Sequence, residues 1–292
     1  ITFRSRLEDL APCLELRFPA SPGFGRWRRF FPDDAVQHPA KMNTNLLEWL
    51  IDNFTEPGDV VLDPMAGTYS TCVIAALKGR HGIGVDIEEE FYKWGVEAKR
   101  RVETTATLVP KGEMTVIKGD ARRLSSILNG LRVDAIITSP PYAIDPKNVC
   151  HTRPGKTLED YDRRRGFKPV AHPRTGYSPN PANIGNLPLE GAHRGETYLD
   201  AMSKVYRECY KVLRLGGPCI VVVKPFVRDK RVVDLPWLTW SLMERVGFVL
   251  DKLYKFRLPT VCLWRRLYEK KHPEVPKIRH EYVIVARKMK MK

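Results

Sequence analysis

Glutamine is almost absent: Gln37 is the single one in 292 residues. Depletion of a heat-labile amide, beside abundant arginine, points to a thermophilic source. Long apolar runs are lacking too. CVIAAL at 72–77 and CIVVV at 219–223 are strand- or helix-sized, far short of a bilayer span. No charged-then-apolar signal opens the sequence, so the expectation is a cytoplasmic protein. The six cysteines (13, 72, 150, 209, 219 and 262) form no CxxC pair and mostly sit in apolar runs, which predicts buried thiols and no metal site. Two nucleotide signatures are also missing. Without GxGxxG and without a Walker lysine, NAD and nucleoside triphosphates are poor candidates.

What is present is ordinary globular composition with an excess of one charge. Apolar residues make up 43% and charged residues 28%, so disorder is not the default. Net charge is +15, which calls for a polyanionic partner. Residues 252–292 hold thirteen Lys and Arg against Glu269, Glu274 and Glu281, two-thirds of the excess. KFRLP and LWRRLYEKKHP there interleave aromatics with cations, the mixture that phosphate contact and base stacking require.

Hydrophobic periodicity alternates strand with helix after residue 40. NTNLLEWLIDNF, TCVIAALKG, EEFYKWGVEAKRRVE, YLDAMSKVYRECYKVLRLGG and LPWLTWSLMERVGF have helical spacing. EPGDVVLDP, HGIGVDI, MTVIKGD, VDAIITSPPY and CIVVVK read as strands between them, and VLDKLYKF with HEYVIVARK as a closing antiparallel pair. The pattern predicts an α/β fold with a Rossmann-like, doubly wound, mostly parallel sheet. Four parts follow: an N-terminal extension and cofactor-side segment over 1–42, a cofactor-binding half over 43–142, a basic Pro/Gly/Arg-rich insertion over 143–196, and the second half of the sheet over 197–292. The insertion is too long for a neutral connector.

Ligands of open α/β sheets sit beyond the carboxyl ends of the strands. Three such ends carry acids here: Asp63 in VVLDPMAGTYST, Asp86 in GIGVDI and Asp120 in VIKGDAR. Gly67 lets backbone approach a ligand at a helix N-terminus. Asp86 is placed to grip the hydroxyls of a ribose, and Asp120 to meet an adenine amino group. A fourth end is stranger. Ala135-Ile136-Ile137-Thr138 runs into Ser139-Pro140-Pro141-Tyr142, and proline ends strand pairing, so carbonyls there lack ladder partners.

DPMAGT followed by Ser139-Pro140-Pro141-Tyr142 resembles the exocyclic-amino methyltransferases, which use S-adenosylmethionine to methylate N4 of cytosine or N6 of adenine in nucleic acid. HPAKMNTNLLEWLI, NPANIGNL and EYVIVARK are similar to further segments of that family. Where the family often has DPFxGSGTT, this chain has Met65, Tyr69 and Ser70. The resemblance implies a class I methyltransferase fold. It implies cofactor contacts from His38 and Lys41; from Asp63, Pro64, Met65, Gly67 and Thr68; from Asp86, Ile87, Asp120 and Ala121; and from Ser139. It also implies a catalytic loop of Ser139, Pro140, Pro141 and Tyr142. The Ser139 hydroxyl and Pro140 carbonyl would accept hydrogen bonds from the target amine, and Tyr142 would stack on the extruded base.

In the families it resembles, serine at the place of Ser139 is commonest in the cytosine-N4 enzymes, so the resemblance implies cytosine N4. Arg163, Arg164, Arg165, Lys168 and Arg174 in the insertion, with Arg265, Arg266, Lys270 and Lys271, are the candidate nucleic-acid contacts. DNA enzymes of the family usually carry a target-recognition domain, and only 143–196 and the C-terminal stretch are spare for one. That favours structured RNA, as in the archaeal enzymes that methylate a ribosomal RNA cytosine. A site-specific DNA N4-cytosine or N6-adenine methyltransferase is the alternative. A non-catalytic nucleic-acid-binding protein of the same fold is a third reading, against which the intact loop and acids argue.

Overall fold

The computed structural model describes residues 1–38, 41–142, 180–191, 195–261 and 263–290. In chain order the elements are β1 (Cys13–Leu16), α1 (Asp33–Gln37), α2 (Thr44–Phe54), β2 (Val60–Asp63), α3 (Ser70–Leu77), β3 (His81–Asp86), α4 (Glu89–Thr104), β4 (Met114–Lys118), α5 (Leu124–Ile127) and β5 (Ala135–Thr138). After the insertion come α6 (Tyr198–Val212), β6 (Pro218–Val223), β7 (Phe226–Arg228), β8 (Arg231–Val233), α7 (Leu235–Val246), β9 (Phe248–Arg257), α8 (Leu263–Lys271) and β10 (His280–Lys288).

Local chemistry sets the boundaries. Asn43 opens α2 by accepting from the N–H groups of Asn45 and Leu46, a cap of about 1 kcal/mol. Thr197 and Asp200 close a reciprocal capping box at the start of α6. Gly247, at φ 111°, ends α7 in the left-handed region.

Eight strands form one sheet in the order β1-β9-β10-β6-β5-β2-β3-β4. The five from β4 to β6 are parallel, and β10 lies antiparallel between β6 and β9. This is the doubly wound sheet with antiparallel closing strands that the sequence predicts. The chain winds outward from β2 through β3 to β4, then returns to place β5 and β6 on the other side. The switch point therefore lies between β2 and β5, where such sheets bind ligands.

Both faces are covered, and alternate strand residues supply them. Val61, Ile137, Ile220 and Val283 pack with Leu46, Leu47, Leu50 and Ile51 of α2. Leu62, Ile136, Val221 and Ile284 point the other way, toward Val205, Tyr206 and Cys209 of α6. The four α2 side chains are fully buried, each contributing about 1.5–3 kcal/mol. Cys72, Cys209 and Cys219 are buried thiols as expected and Cys13 is half-buried, while Cys150 and Cys262 lie outside the described residues.

The structure departs from the sequence reading in four places. β1 adds an outer strand parallel to β9, from CLEL between Pro12 and Pro19, too short and proline-flanked to announce itself. β7 and β8 form a separate hairpin directly after β6. The helix expected to run to Gly216-Gly217 stops at Val212. There Val133 donates to the Val212 carbonyl and accepts from Arg214, pulling Leu213 into a short parallel bridge. Finally, the closing strands β9 and β10 are present as expected, but LWRRLYEKK between them forms a helix, α8, and β10 is an interior strand.

Candidate active site

All five parallel strands end on one cavity of about 260 Å³. Asp63 closes β2, Asp86 closes β3, Asp120 follows β4, Ser139 follows β5 and Lys224 follows β6. Every residue expected to touch cofactor lines this cavity, together with the Ser139–Tyr142 run. The sequence placed them on separate loops, and the topology brings them to one wall.

Asp63 is buried, its Oδ2 accepting from the Thr71 hydroxyl at 2.7 Å and its Oδ1 from the Met65 N–H at 3.3 Å. Burial pushes its carboxyl up to about 6 against those hydrogen bonds. Asp86 accepts the Gly67 N–H at 2.7 Å and the Glu88 N–H at 2.9 Å, so it ties the glycine turn to the end of β3. Burial nevertheless raises it to about 7. Each Asp86 oxygen keeps a second lone pair for a ligand hydroxyl. Asp120 is less available than the sequence suggests. Arg122 clamps both its oxygens, at 2.6–3.0 Å, and is itself held by Glu196 at 2.6 Å.

Gly67 sits at φ 51° with open space where a Cβ would stand, so the turn presents bare backbone to the cavity. Lys41 is half-buried, donates to the carbonyls of Val36 and His38, and is pushed down to about 8 by burial. His38 is buried edge-on to Phe91 at 5.3 Å and Trp94 at 5.9 Å.

Beyond β5 the two prolines hold an extended run. Its Pro141 carbonyl accepts from the Tyr198 hydroxyl at 2.8 Å, which fixes the loop to the start of α6. No hydrogen bond from a described residue reaches the Ser139 hydroxyl or the Pro140 carbonyl, and both residues line the cavity. The structure thus separates an anchored carbonyl from two acceptors that no described residue occupies. Thr138, one residue earlier, has a buried hydroxyl beside Asp63 that helps hold its carboxyl down against burial.

The unusual Tyr69 has a structural explanation. It is fully buried at φ 60°, and its ring fills space left by two glycines. A Cβ on Gly84 would come within 2.5 Å of that ring, and one on Gly95 within 2.8 Å. The glycines and the tyrosine are one packing unit between β3 and α4.

Sequence reasoning missed several lining residues. Asn183 and Ile184 reach the cavity from the segment after the insertion, with the Asn183 amide donating to Glu88 at 2.6 Å. Lys224 and Glu281 line it from β6 and β10. NPANIGNL and CIVVVK were the only signals for these, and neither names a role. Of the candidate nucleic-acid contacts, Arg163, Arg164, Arg165, Lys168 and Arg174 lie outside the described residues. Arg266, Lys270 and Lys271 are exposed on α8, whereas Arg265 is tied to Glu269 at 3.3 Å, a carboxylate that also takes Arg279. Among the described residues no His/Cys/Asp/Glu cluster could hold a metal, and no helix is long and apolar enough to cross a membrane.

Comparison with known proteins finds a family model that matches part of the chain. Residues 25–98 match the N6/N4 methyltransferase family model, described as DNA methylase. The chain is 38% identical over 68 residues to the DNA adenine methyltransferase YhdJ of Escherichia coli, covering 23% of each. It is 29% identical over 142 residues to the tRNA (guanine(10)-N2)-dimethyltransferase of Methanocaldococcus jannaschii, covering 47% of this chain and 39% of that one. The chain thus matches only about a quarter of the length of the first of these relatives. TrmN from Thermus thermophilus aligns with a TM-score of 0.47 at 16% identity, over 90% of this chain and 53% of that one. The family-model match and the similarity to YhdJ support an exocyclic-amino nucleic-acid methyltransferase family for the matched part, and that family's cofactor is S-adenosylmethionine. The cavity fits that cofactor: an open glycine turn, a buried acid with spare lone pairs and a partly buried lysine lie in one wall.

Proposed function

We propose that the chain is an S-adenosylmethionine-dependent methyltransferase acting on the N4 amine of cytosine in structured RNA, with ribosomal RNA as the leading substrate. The observation that carries the reading is the pair of open acceptors, Ser139 hydroxyl and Pro140 carbonyl, beside the three-acid cavity. Asp86 would hold the ribose hydroxyls. The Gly67 turn, Asp63 and Lys41 would hold the methionine end, with the Lys41 ammonium on its carboxylate. Asp120 and Ala121 would border the adenine. When bound, the cofactor supplies a methyl group activated by its sulfonium charge.

A cytosine N4 amine is a poor nucleophile because its lone pair is delocalised into the ring. Two acceptors at fixed positions draw on its two N–H groups, pull the nitrogen toward tetrahedral geometry and aim the lone pair. The chain's contribution is positioning and electrostatics. The proline backbone fixes those acceptors, and Tyr142 supplies a stacking face for a base taken from its helix or loop. One amine proton is released to solvent as the N–CH3 bond forms.

The net charge of +15 suits either nucleic acid. RNA is favoured because the RNA-modifying relative, itself named for an exocyclic amine, matches about twice the length of chain that YhdJ matches. The family model's description as DNA methylase supports the second reading, N4-cytosine or N6-adenine methylation of DNA. The test uses labelled S-adenosylmethionine with unmodified ribosomal RNA, small ribosomal particles and genomic DNA, followed by digestion and mass identification of the nucleosides. N4-methyl or dimethyl cytidine from RNA alone supports the proposal. A methylated deoxynucleoside in its place makes this a DNA enzyme, and no labelled nucleoside at all overturns both readings.

A further inference from the structure

Lys224 and Glu281 form a charged pair on the cavity wall that the transfer chemistry described above leaves unused. The register explains their meeting. β10 pairs with β6 so that Tyr282 faces Val223, which sets Glu281 beside Lys224. On its other side β6 pairs with β5 so that Val221 faces Thr138, which brings the Ser139–Tyr142 run alongside the end of β6. The Lys224 ammonium lies 3.6 Å from a Glu281 oxygen and 5.9 Å from the centre of the Tyr142 ring, over its face. The Glu281 side chain is 17% exposed and that of Lys224 36%, so the carboxylate is the fixed member and the ammonium the reaching one.

We propose that Lys224 is the specificity-determining residue for the target base: its ammonium, oriented by Glu281, donates to the ring acceptors beside the exocyclic amine. The proposal rests on the methyltransferase reading and names the base that its cavity selects. An ammonium has three donors and no acceptor. A base laid on Tyr142 with its amine at Ser139 and Pro140 turns its adjoining ring edge toward the end of β6. Cytosine offers two acceptors there, N3 and O2. Adenine offers one, N1, and guanine presents an N–H donor on its Watson–Crick edge, with its N3 acceptor on the other side of the amine. Lys224 therefore selects cytosine and opposes a guanine turned by its Watson–Crick edge, while Glu281 holds the ammonium in place. Lys224 touches the base and not the transferred methyl group by this account, and Glu281 is the positioning residue.

The test is binding of short oligonucleotides to the intact protein saturated with S-adenosylhomocysteine, read by fluorescence anisotropy. The probes are oligocytidylate, the same chain built from 3-deazacytidine, and oligoguanylate. Wild type should bind oligocytidylate about tenfold tighter than its 3-deaza counterpart, the size of one hydrogen bond left unpaired. Lys224→Met should bind those two alike. Lys224→Arg, which keeps the donors, should restore most of the preference, and Glu281→Gln should weaken it without adding to the loss in the Lys224→Met background. A merely structural lysine would lower all affinities together and leave the cytidine ratio intact, and that result overturns the proposal, as does a wild type that does not discriminate. Calorimetry of S-adenosylhomocysteine on the same samples separates the two readings. Loss of the ratio in Lys224→Met with the cofactor product still bound supports the proposal. A wild type that ignores the cofactor product fails the methyltransferase reading while the oligonucleotide ratio still judges Lys224.

Discussion

Asp86 and Lys41 set opposite limits on cofactor binding. Burial holds the Asp86 carboxyl up at about 7, so below that pH it is protonated and accepts ribose hydroxyls poorly. Burial holds the Lys41 ammonium down at about 8, so above that pH it loses the charge that would meet the cofactor's carboxylate. Affinity for S-adenosylmethionine should therefore rise with pH through about 7, fall beyond about 8, and peak between. Titration calorimetry across pH 6–9 (about three units) checks this. Asp86→Asn should remove the acid limb and cost about ten- to hundredfold in affinity, one charged hydrogen bond of roughly 1.5–3 kcal/mol. Lys41→Met should flatten the alkaline limb alone. Most of these residues were legible in the sequence because acids at strand ends are a one-dimensional pattern. Their commitments were not: that Arg122 covers Asp120, and that Asp86 holds Gly67, depends on contacts the chain order does not record.

At the scale of elements, the packing of Tyr69 against Gly84 and Gly95 makes a sharp prediction. Gly84→Ala puts a Cβ 2.5 Å from a buried ring that has no free side to move into. It should destabilise the protein by about 1–3 kcal/mol in urea unfolding, the usual cost of overpacking. Because Tyr69 leads into α3, whose first turn lines the cavity, cofactor affinity should fall with it. The β7–β8 hairpin carries another. Asp229 and Lys230 both hold positive φ at its tip, and Lys230 and Arg231 are exposed there. Replacing these two cations with alanine should weaken nucleic-acid binding and reduce the salt slope by about 1 for each phosphate left without its cation. An unchanged slope would assign the hairpin to plain solvent exposure. Helices and parallel strands were legible because their periodicity is local. β1 and the hairpin were not, since elements of four and three residues exist only through the partners they pair with.

For the molecule as a whole, the charge reading and the fold reading meet in the C-terminal region. Its cations suggest a nucleic-acid-binding surface, and its strand β10 joins β6 to β9 and β1, holding the outer strands to the parallel half. Ending the chain after residue 271 should thus abolish cooperative unfolding rather than merely lower nucleic-acid affinity, as thermal denaturation would show. Neutralising Arg266, Lys270 and Lys271 on α8 should spare the fold, because all three are exposed. The doubly wound topology was readable because single helices between strands permit few arrangements. The interior place of β10 was not, because an apolar closing strand looks the same at an edge as at the centre.

The most direct measurement is single-turnover methyl transfer to ribosomal RNA by wild type, Ser139→Ala and Tyr142→Ala, with cofactor affinity measured on the same preparations. The account predicts loss of transfer by at least about a hundredfold in both variants, as for removal of a transition-state hydrogen-bonding partner. Cofactor affinity should stay within a few fold. Near-normal rates in both variants would contradict it, for the open acceptors and the stacking face would then have no part in the reaction.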